Sequence, residues 1–194
     1  MIEWLGNIDA SILLFIQEML RKPFLNPIVE AVTILGNSAA IWVGISLILL
    51  FYPKTRKAGI ASLLALVVSL IINNMILKNI IGRVRPYDMI DGLIPLINRP
   101  GDYSFPSGHT GSSFASAWVF HRRLPKWAGV TALILATMIG LSRLYLGVHY
   151  PTDVIFGVIS GICCGCIADT AVKKKCEANG KTEKKEYKQD SKNS

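Results

Sequence analysis

The chain has 194 residues, 51% of them hydrophobic, with a formal net charge of +8 and a mean hydropathy of +0.41. The length suits one domain. Residues 31–53 and 58–77 hold no charged side chain, and about 20 such residues make a helix that crosses a bilayer core, so an ordinary soluble domain is excluded.

The surplus of positive charge does not point to nucleic acid, because it is not gathered on one element. Arg21/Lys22, Lys54/Arg56/Lys57, Arg122/Arg123/Lys126 and the lysines from Lys173 onward fall between apolar segments or in the tail. That is the pattern that orients helices in a membrane, with basic gaps on the cytoplasmic side. No Lys or Arg precedes the first apolar residues and no small-residue cleavage site follows them, so no removable signal peptide is read.

In chain order, residues 7–20 bring Ile8, Ile12, Phe15, Ile16 and Met19 close to a 3.6-residue period, with Asp9 or Ser11 available as an N-cap. An amphipathic helix is expected there, lying at the interface or leading into the first span. Residues 24–35 read as a brief apolar helix containing Glu30, an intramembrane acid and so a functional candidate, with pairing to a polar neighbour as the alternative. Gly36-Asn37 breaks the run, and residues 38–52 form the next span, ended by Pro53.

Residues 58–78 form a span about 31 Å long, with Asn73 and Asn74 in its last turns and Lys78 at its end. The asparagines are read as interhelical hydrogen-bonding groups, or as support for Lys78. A long polar loop over 79–105 follows, punctuated by Pro86, Pro95 and Pro100, with Pro106 next to the fourth span. Its Arg83, Arg85 and Arg99 are balanced by Asp88, Asp91 and Asp102. The later spans are placed at 109–121, 127–145 and 151–172, and the lysine-rich stretch 173–194 is expected to be disordered. With 24–35 counted as crossing, the reading is an all-α, polytopic bundle of six spans over 1–172. Both termini and His121 lie on the cytoplasmic side, and the 79–107 loop and the 146–150 turn on the other. Cys163-x-x-Cys166 has the spacing of a redox or metal pair, but no partner ligands accompany it at membrane depth, so these cysteines are read as small packing residues.

Three polar clusters fall on that outer face. Lys78 to Pro86 holds two cations that share a face if the helix continues past Lys78; taken alone, they resemble snorkelling residues at a helix end. Pro106-Ser107-Gly108-His109 offers a hydroxyl, an N-cap, exposed backbone N–H groups at a helix start, and a histidine. Ser142-Arg143 and His149-x3-Asp153 place an arginine near an imidazole, with a carboxylate one helical turn beyond. Gly147 lets the chain turn between them and Pro151 suits the first turn of a helix. An aspartate so placed holds the tautomer and stabilises an imidazolium. Lys78, Arg85 and Arg143 suit phosphate oxygens, and clamping of that kind is the main task in phosphoryl transfer. One histidine can attack phosphorus while the other protonates the departing oxygen, without a metal.

Lys78-x6-Arg85-Pro86, Pro106-Ser107-Gly108-His109 and Ser142-Arg143-x5-His149-x3-Asp153 together resemble the three signature motifs of the type 2 phosphatidic acid phosphatases. Bacterial undecaprenyl-diphosphatases, phosphatidylglycerophosphate phosphatases and soluble vanadium haloperoxidases share them. The resemblance implies a membrane lipid phosphatase with His149 as nucleophile, Asp153 orienting it, and His109 as general acid. Lys78, Arg85, Arg143, Ser107 and the Gly108 N–H would bind the phosphate; Ser142 has no assigned role, and Arg83 is guessed to touch a headgroup. No cofactor or metal is implied. The partners are a phosphorylated lipid and the bilayer. Undecaprenyl diphosphate is the first expectation for the lipid, because a short, tail-poor chain with an outward site suits recycling of a wall carrier; phosphatidylglycerophosphate or phosphatidic acid is the alternative. A non-catalytic headgroup binder or flippase would need only the cations, not both histidines and Asp153. The haloperoxidase fold is at odds with the uncharged spans.

Overall fold

The computed structural model describes the backbone of residues 2–193 and the side chains of residues 6–178. All regular elements among them are helical. Helix α1 (Ile2–Phe15) continues as a π-helical stretch, Ile16–Leu20. It is followed by α2 (Asn26–Leu35), a 3-10 turn (Asn37–Ala39) and α3 (Ala40–Phe51). Helix α4 (Arg56–Ser69) runs on through a π-helical stretch (Leu70–Leu77) into α5 (Lys78–Ile81), and a short α6 (Pro86–Met89) lies in the loop beyond. The bundle is completed by α7 (Gly108–Arg123), α8 (Lys126–Tyr145) and α9 (Pro151–Asn193).

The interior is built from small residues. Helix α7 packs against α4, α8 and α9, and its Gly111, Ser113, Ala115, Ser116 and Ala117 are buried. A Cβ added at Gly161 of α9 would stand 2.5 Å from the Gly111 carbonyl, and one at Gly165 would stand 2.8 Å from that of Ala115. Gly157, Gly161 and Gly165 are spaced by four, so α9 lies with its backbone against α7. In a membrane such close approach replaces the hydrophobic drive between helices. The larger apolar residues fill the flanks, where Trp42, Leu66, Phe120, Ala136 and Ile139 form one cluster. The Trp42 indole N–H donates to Ser113 Oγ at 2.9 Å, and Ser46 donates to Ser62 at 2.7 Å. Asn73 donates to Ser69 one turn back on its own helix at 3.0 Å, not across helices as expected.

Among the described residues, three stretches are long and apolar enough to cross a bilayer: Arg56–Met89, Lys126–Tyr145 and Pro151–Ala178. A fourth is the pair Asn26–Leu35 and Asn37–Phe51, bent by 48° at the break between them. The six crossings expected from the sequence are not found in that form, because residues 24–35 do not cross separately. Helix α2 starts beside the end of α8, where the Tyr145 hydroxyl donates to Asn26 Oδ1 at 2.8 Å, and α3 continues toward Ser62 and the start of α4. Together they make one broken passage. With α4–α5, α7, α8 and α9, the described chain runs between the two ends of the bundle five times.

The two termini are expected on one side, whereas an odd number of passages separates the first helix from the end of α9. From Asp9 to Arg21 the first helix lies across the end that carries the 82–107 loop. Gln17 Nε2 donates to the Gly92 carbonyl at 2.8 Å, Arg21 Nε donates to that of Tyr145 at 2.8 Å, and Leu13 packs with Leu93, Tyr150 and Val154. Arg21 therefore sits with the loop rather than at the opposite end, where Arg122 and Arg123 pair with Asp169. Asp9 is not a cap either, since the helix begins at Ile2. Helix α9 runs on through the lysine-rich stretch to Asn193; lysine, glutamate and alanine favour helix. Glu30 is exposed on α2 without a hydrogen-bonding partner among the described residues.

Candidate active site

The first polar cluster does not continue as helix. Helix α5 stops at Ile81, Gly82 takes the left-handed conformation with φ +58°, and the chain is extended at Arg85 before Pro86 opens α6. A residue without a Cβ adopts that conformation at low cost, and the reversal turns Arg83 and Arg85 toward the bundle. Lys78 and Arg85 are 7% and 4% exposed, and both reach Asp102. Arg85 donates from Nη2 to Asp102 Oδ1 at 2.6 Å and from Nε to the Asp102 carbonyl at 2.8 Å, while Lys78 pairs with the other carboxylate oxygen. Burial works against the charge on Asp102, but the hydrogen bonds from Lys78 and Arg85 outweigh it and bring its carboxyl down to about 2.

The second cluster forms the start of α7. Ser107 is its N-cap, fully buried, and its hydroxyl oxygen accepts from the Thr110 hydroxyl at 2.9 Å. His109 faces the break between α2 and α3, where its Nε2 donates to Asn37 Oδ1 at 2.9 Å. A carbonyl oxygen only accepts, so this contact puts a proton on Nε2. The break itself is strained: Ser38 and Ala39 have φ of +50° and +56°, a conformation that β-carbon-bearing residues seldom adopt and that clusters at functional sites.

The third cluster closes the site. Gly147, with φ +72°, turns the chain after α8, and Val148, His149 and Tyr150 are buried ahead of Pro151. His149 Nε2 lies 3.5 Å from Arg85 Nη1 and its Nδ1 lies 3.5 Å from Asp153 Oδ2. An arginine only donates, so Nε2 keeps its lone pair and the proton belongs on Nδ1, toward the carboxylate. At 3.5 Å that second contact is an ion-pair distance rather than a formed hydrogen bond, and such contacts tighten when the reacting group binds. Burial pushes the His149 imidazole down to about 4; Asp153 opposes this, and Arg85 and Arg143 add to it. Arg143, 3% exposed, donates from Nη1 to Thr33 Oγ1 at 2.7 Å, and its Nε has no hydrogen-bonding partner among the described residues.

Lys78, Arg85, Gly108, His109, Arg143 and His149 line one cavity of about 640 Å³. The same cavity extends between α3 and α4 along Ala39, Val43, Leu63, Leu66, Val67 and Leu70. Three cations and two imidazoles thus stand at one end, with an apolar limb leading away. Ser107 and Asp153 stand behind the wall. Ser107 shapes the start of α7, where its neighbour Gly108 faces the cavity, and Asp153 backs His149. Asn74 lines the cavity beside Gly108. Arg83, guessed to meet a headgroup, lies outside the lining and points the other way, to Asp9, Thr152 and Asp153.

Several residues at the site were not singled out from the sequence. Asp102 was only one charge in a neutral loop. Ser104, which donates to Asp153, and Thr33, which accepts from Arg143, are unremarkable in type. Asn37 marks only a helix break in the sequence. None carries a local sequence signal, because each reaches its partner across more than 40 residues of chain, or in the case of Asp102 across a loop.

Known proteins resemble this chain over most of its length. A family model described as the PAP2 superfamily matches residues 58–176. An undecaprenyl-diphosphatase of Sulfolobus acidocaldarius is 32% identical over 121 residues, which cover 62% of this chain and 58% of that protein; the chain thus spans less than two thirds of that relative's length. Phosphatidylglycerophosphatase B of Bacillus subtilis is 33% identical over 157 residues, covering 74% of this chain and 73% of that one. The crystal structure of a transmembrane PAP2-type phosphatidylglycerolphosphate phosphatase from Bacillus subtilis superposes with a TM-score of 0.71 at 30% identity, over 87% of this chain and 86% of that one.

Proposed function

The chain belongs to the PAP2 superfamily, and from that membership we infer that it is a membrane phosphatase acting on a phosphorylated lipid, with undecaprenyl diphosphate as the first substrate and phosphatidylglycerophosphate or phosphatidic acid as the alternative. The observation that carries the reading is the two-ended cavity. Lys78, Arg85 and Arg143 meet His109 and His149 at one end, and the apolar limb along Val43, Leu63, Leu66, Val67 and Leu70 leaves from it. A ligand with an anionic head and a hydrocarbon tail matches both ends at once.

The phosphoryl group is held by Lys78, Arg85, Arg143 and the Gly108 N–H at the start of α7. Cations and a helix N-terminus aimed at the transferring oxygens stabilise charge that grows in the transition state. His149 Nε2 attacks phosphorus, forming the P–N bond as the P–O bond to the lipid breaks, and the departing oxygen takes the proton from His109 Nε2. Asp153 holds the Nδ1 proton and balances the cation that forms on the imidazole. Water then attacks the phosphohistidine, His109 takes its proton, the P–N bond breaks, and inorganic phosphate leaves. With a diphosphate the terminal phosphoryl group transfers, and the lipid monophosphate departs.

Apart from Arg21 and Lys22, the basic gaps lie at the end opposite the cavity, which supports an extracytoplasmic site in the cell membrane. The decisive experiment is phosphate release by purified protein across a panel of polyprenyl diphosphates and phospholipids. Undecaprenyl diphosphate should give the highest kcat/KM, His149→Ala should abolish turnover, and EDTA should leave it intact. Val67→Trp should raise KM for the long-chain lipid and spare farnesyl diphosphate. Release that survives His149→Ala would sink the reading.

A further inference from the structure

Arg83 holds together three elements that the motifs treat separately. Its Nη1 donates to Asp153 Oδ1 at 2.6 Å and to Thr152 Oγ1 at 2.7 Å, and its Nη2 donates to Asp9 Oδ2 at 2.8 Å. The guanidinium lies 3.7 Å above the ring of Tyr150, next to His149. Asp9 in turn accepts the Thr152 backbone N–H at 3.1 Å and its hydroxyl. Helix α1 is thereby fastened to the first turn of α9, on the far side of Asp153 from the cavity.

The electrostatics of this arrangement are demanding. Asp9 and Asp153 are 1% and 0% exposed. Two carboxylates buried close together repel, and a cation between them offsets that repulsion. Arg83 is that cation, the one residue among those described that forms an ion pair with both. It also settles how Asp153 is turned. Oδ1 is committed to Arg83, while Oδ2 receives Ser104 and the Tyr150 N–H at 2.9 Å and stands 3.5 Å from His149 Nδ1. The planar fork of an arginine, bound at both ends, fixes such a rotation better than a single hydrogen bond.

We propose that Arg83 and Asp9 are positioning residues for the reaction: the Asp9–Arg83 bridge keeps Asp153 turned so that it holds the proton of His149 on Nδ1 and leaves Nε2 free to attack. The N-terminal helix is then part of the catalytic apparatus and not only a membrane-surface anchor. Neither residue lines the cavity, so neither contributes to substrate binding. The proposal rests on the phosphatase reading for its kinetic consequence and on geometry alone for its effect on the imidazole.

Two measurements on the full-length protein in detergent separate these. The first is phosphate release from farnesyl diphosphate by wild type, Arg83→Gln, Arg83→Lys and Asp9→Asn. Arg83→Gln should lose about 100-fold in kcat and Asp9→Asn about tenfold, the range typical of residues that orient a primary group, with KM within about threefold of wild type. Arg83→Lys should recover most of the loss. The double variant Arg83→Gln/Asp9→Asn should be no worse than Arg83→Gln, because both changes remove one bridge.

The second measurement is the ring-nitrogen NMR of ¹⁵N-histidine-labelled protein, with His149 assigned through His149→Gln. Wild type should show the Nδ1–H tautomer at neutral pH. Arg83→Gln and Asp9→Asn should populate the Nε2–H form, and Arg83→Lys should restore the first. If wild type releases no phosphate, the phosphatase reading falls while the tautomer still decides the bridge. Thermal unfolding identifies any variant that fails to fold, in which case Asp9→Asn and Arg83→Lys carry the test. An unchanged tautomer, a KM rise equal to the loss in kcat/KM, or Arg83→Lys no better than Arg83→Gln overturns the proposal.

Discussion

Arg85 is joined to Asp102 twice, through Nη2 to the carboxylate at 2.6 Å and through Nε to the main-chain carbonyl at 2.8 Å. Lys78 holds the second carboxylate oxygen, so Asp102 engages two of the three cations that line the cavity. It comes from the exposed side of the loop, its side chain 55% accessible, whereas both cations are nearly buried. An anionic ligand must compete with this carboxylate for the same donors.

Asp102→Asn should therefore bind oxyanions more tightly. The inhibition constants for inorganic phosphate and orthovanadate should each fall about tenfold, equivalent to about 1.4 kcal/mol, and KM should fall with them. With the carboxyl down at about 2, the effect should be constant from pH 5 to 9. Weaker inhibition in the variant would mean that Asp102 orders the cations rather than competing for them.

The motifs were legible because they are short and local. Lys78, Arg85, Gly108, His109, Arg143 and His149 line one cavity as their residue types suggest. The helices from Arg56 onward begin close to their expected starts because Ser107, Pro151 and the prolines at 53 and 125 mark their ends. What escaped detection depends on chain folding over distance. Asp9 has the look of an N-cap in a sequence window, and only docking of α1 turns it toward Arg83 and Thr152, more than 70 residues away. The path of residues 24–51 was misjudged because a break at Gly36-Asn37 reads the same whether the helix reverses or bends by 48°. A third signal was present and overlooked: the four-residue spacing of Gly157, Gly161 and Gly165 marks the α7 contact.

That contact gives a prediction about stability. Gly161 lies where a Cβ would stand 2.5 Å from the Gly111 carbonyl and 3.0 Å from Phe114 Cβ. Backbone cannot yield as a side-chain tip does, so Gly161→Val should force α9 away from α7 at a cost of about 1–3 kcal/mol, lowering Tm in detergent. Gly44 has nothing within 4 Å of its Cβ position, and Gly44→Ala should leave Tm unchanged or raise it. Equal effects at the two positions would show that α9 does not ride on the α7 backbone.

His149 links stability to pH. Its imidazole is down at about 4, chiefly through burial, against about 6.5 in an unfolded chain. The folded state thus favours the neutral ring. This contribution is complete above pH 6.5, shrinks as the pH falls, and is gone below about 4, with a full size of up to about 3 kcal/mol. Tm should fall between pH 6.5 and 4, and His149→Gln should flatten part of that slope. Asp153, Arg85, Arg143 and His109 surround the ring and remain in the variant, so the difference between the two curves isolates His149. Parallel curves would show that it is not buried as a neutral group.

The path of the first helices sets which side of the membrane each segment faces. Gln17 and Arg21 bind the 92–94 loop, and α2–α3 is one bent passage, so α1 belongs on the side of the cavity mouth. Three positions test this in a cysteine-free background: Ser11→Cys on the exposed face of α1, Ile94→Cys in the loop, and Trp127→Cys at the start of α8. The last two are 66% and 74% exposed in the native chain. An impermeant maleimide should label Ser11→Cys and Ile94→Cys in intact cells, and Trp127→Cys only after permeabilisation. Had residues 24–35 crossed separately, Ser11→Cys would label with Trp127→Cys instead. Labelling of Trp127→Cys alone in intact cells would reverse the orientation and put the cavity mouth on the cytoplasmic face.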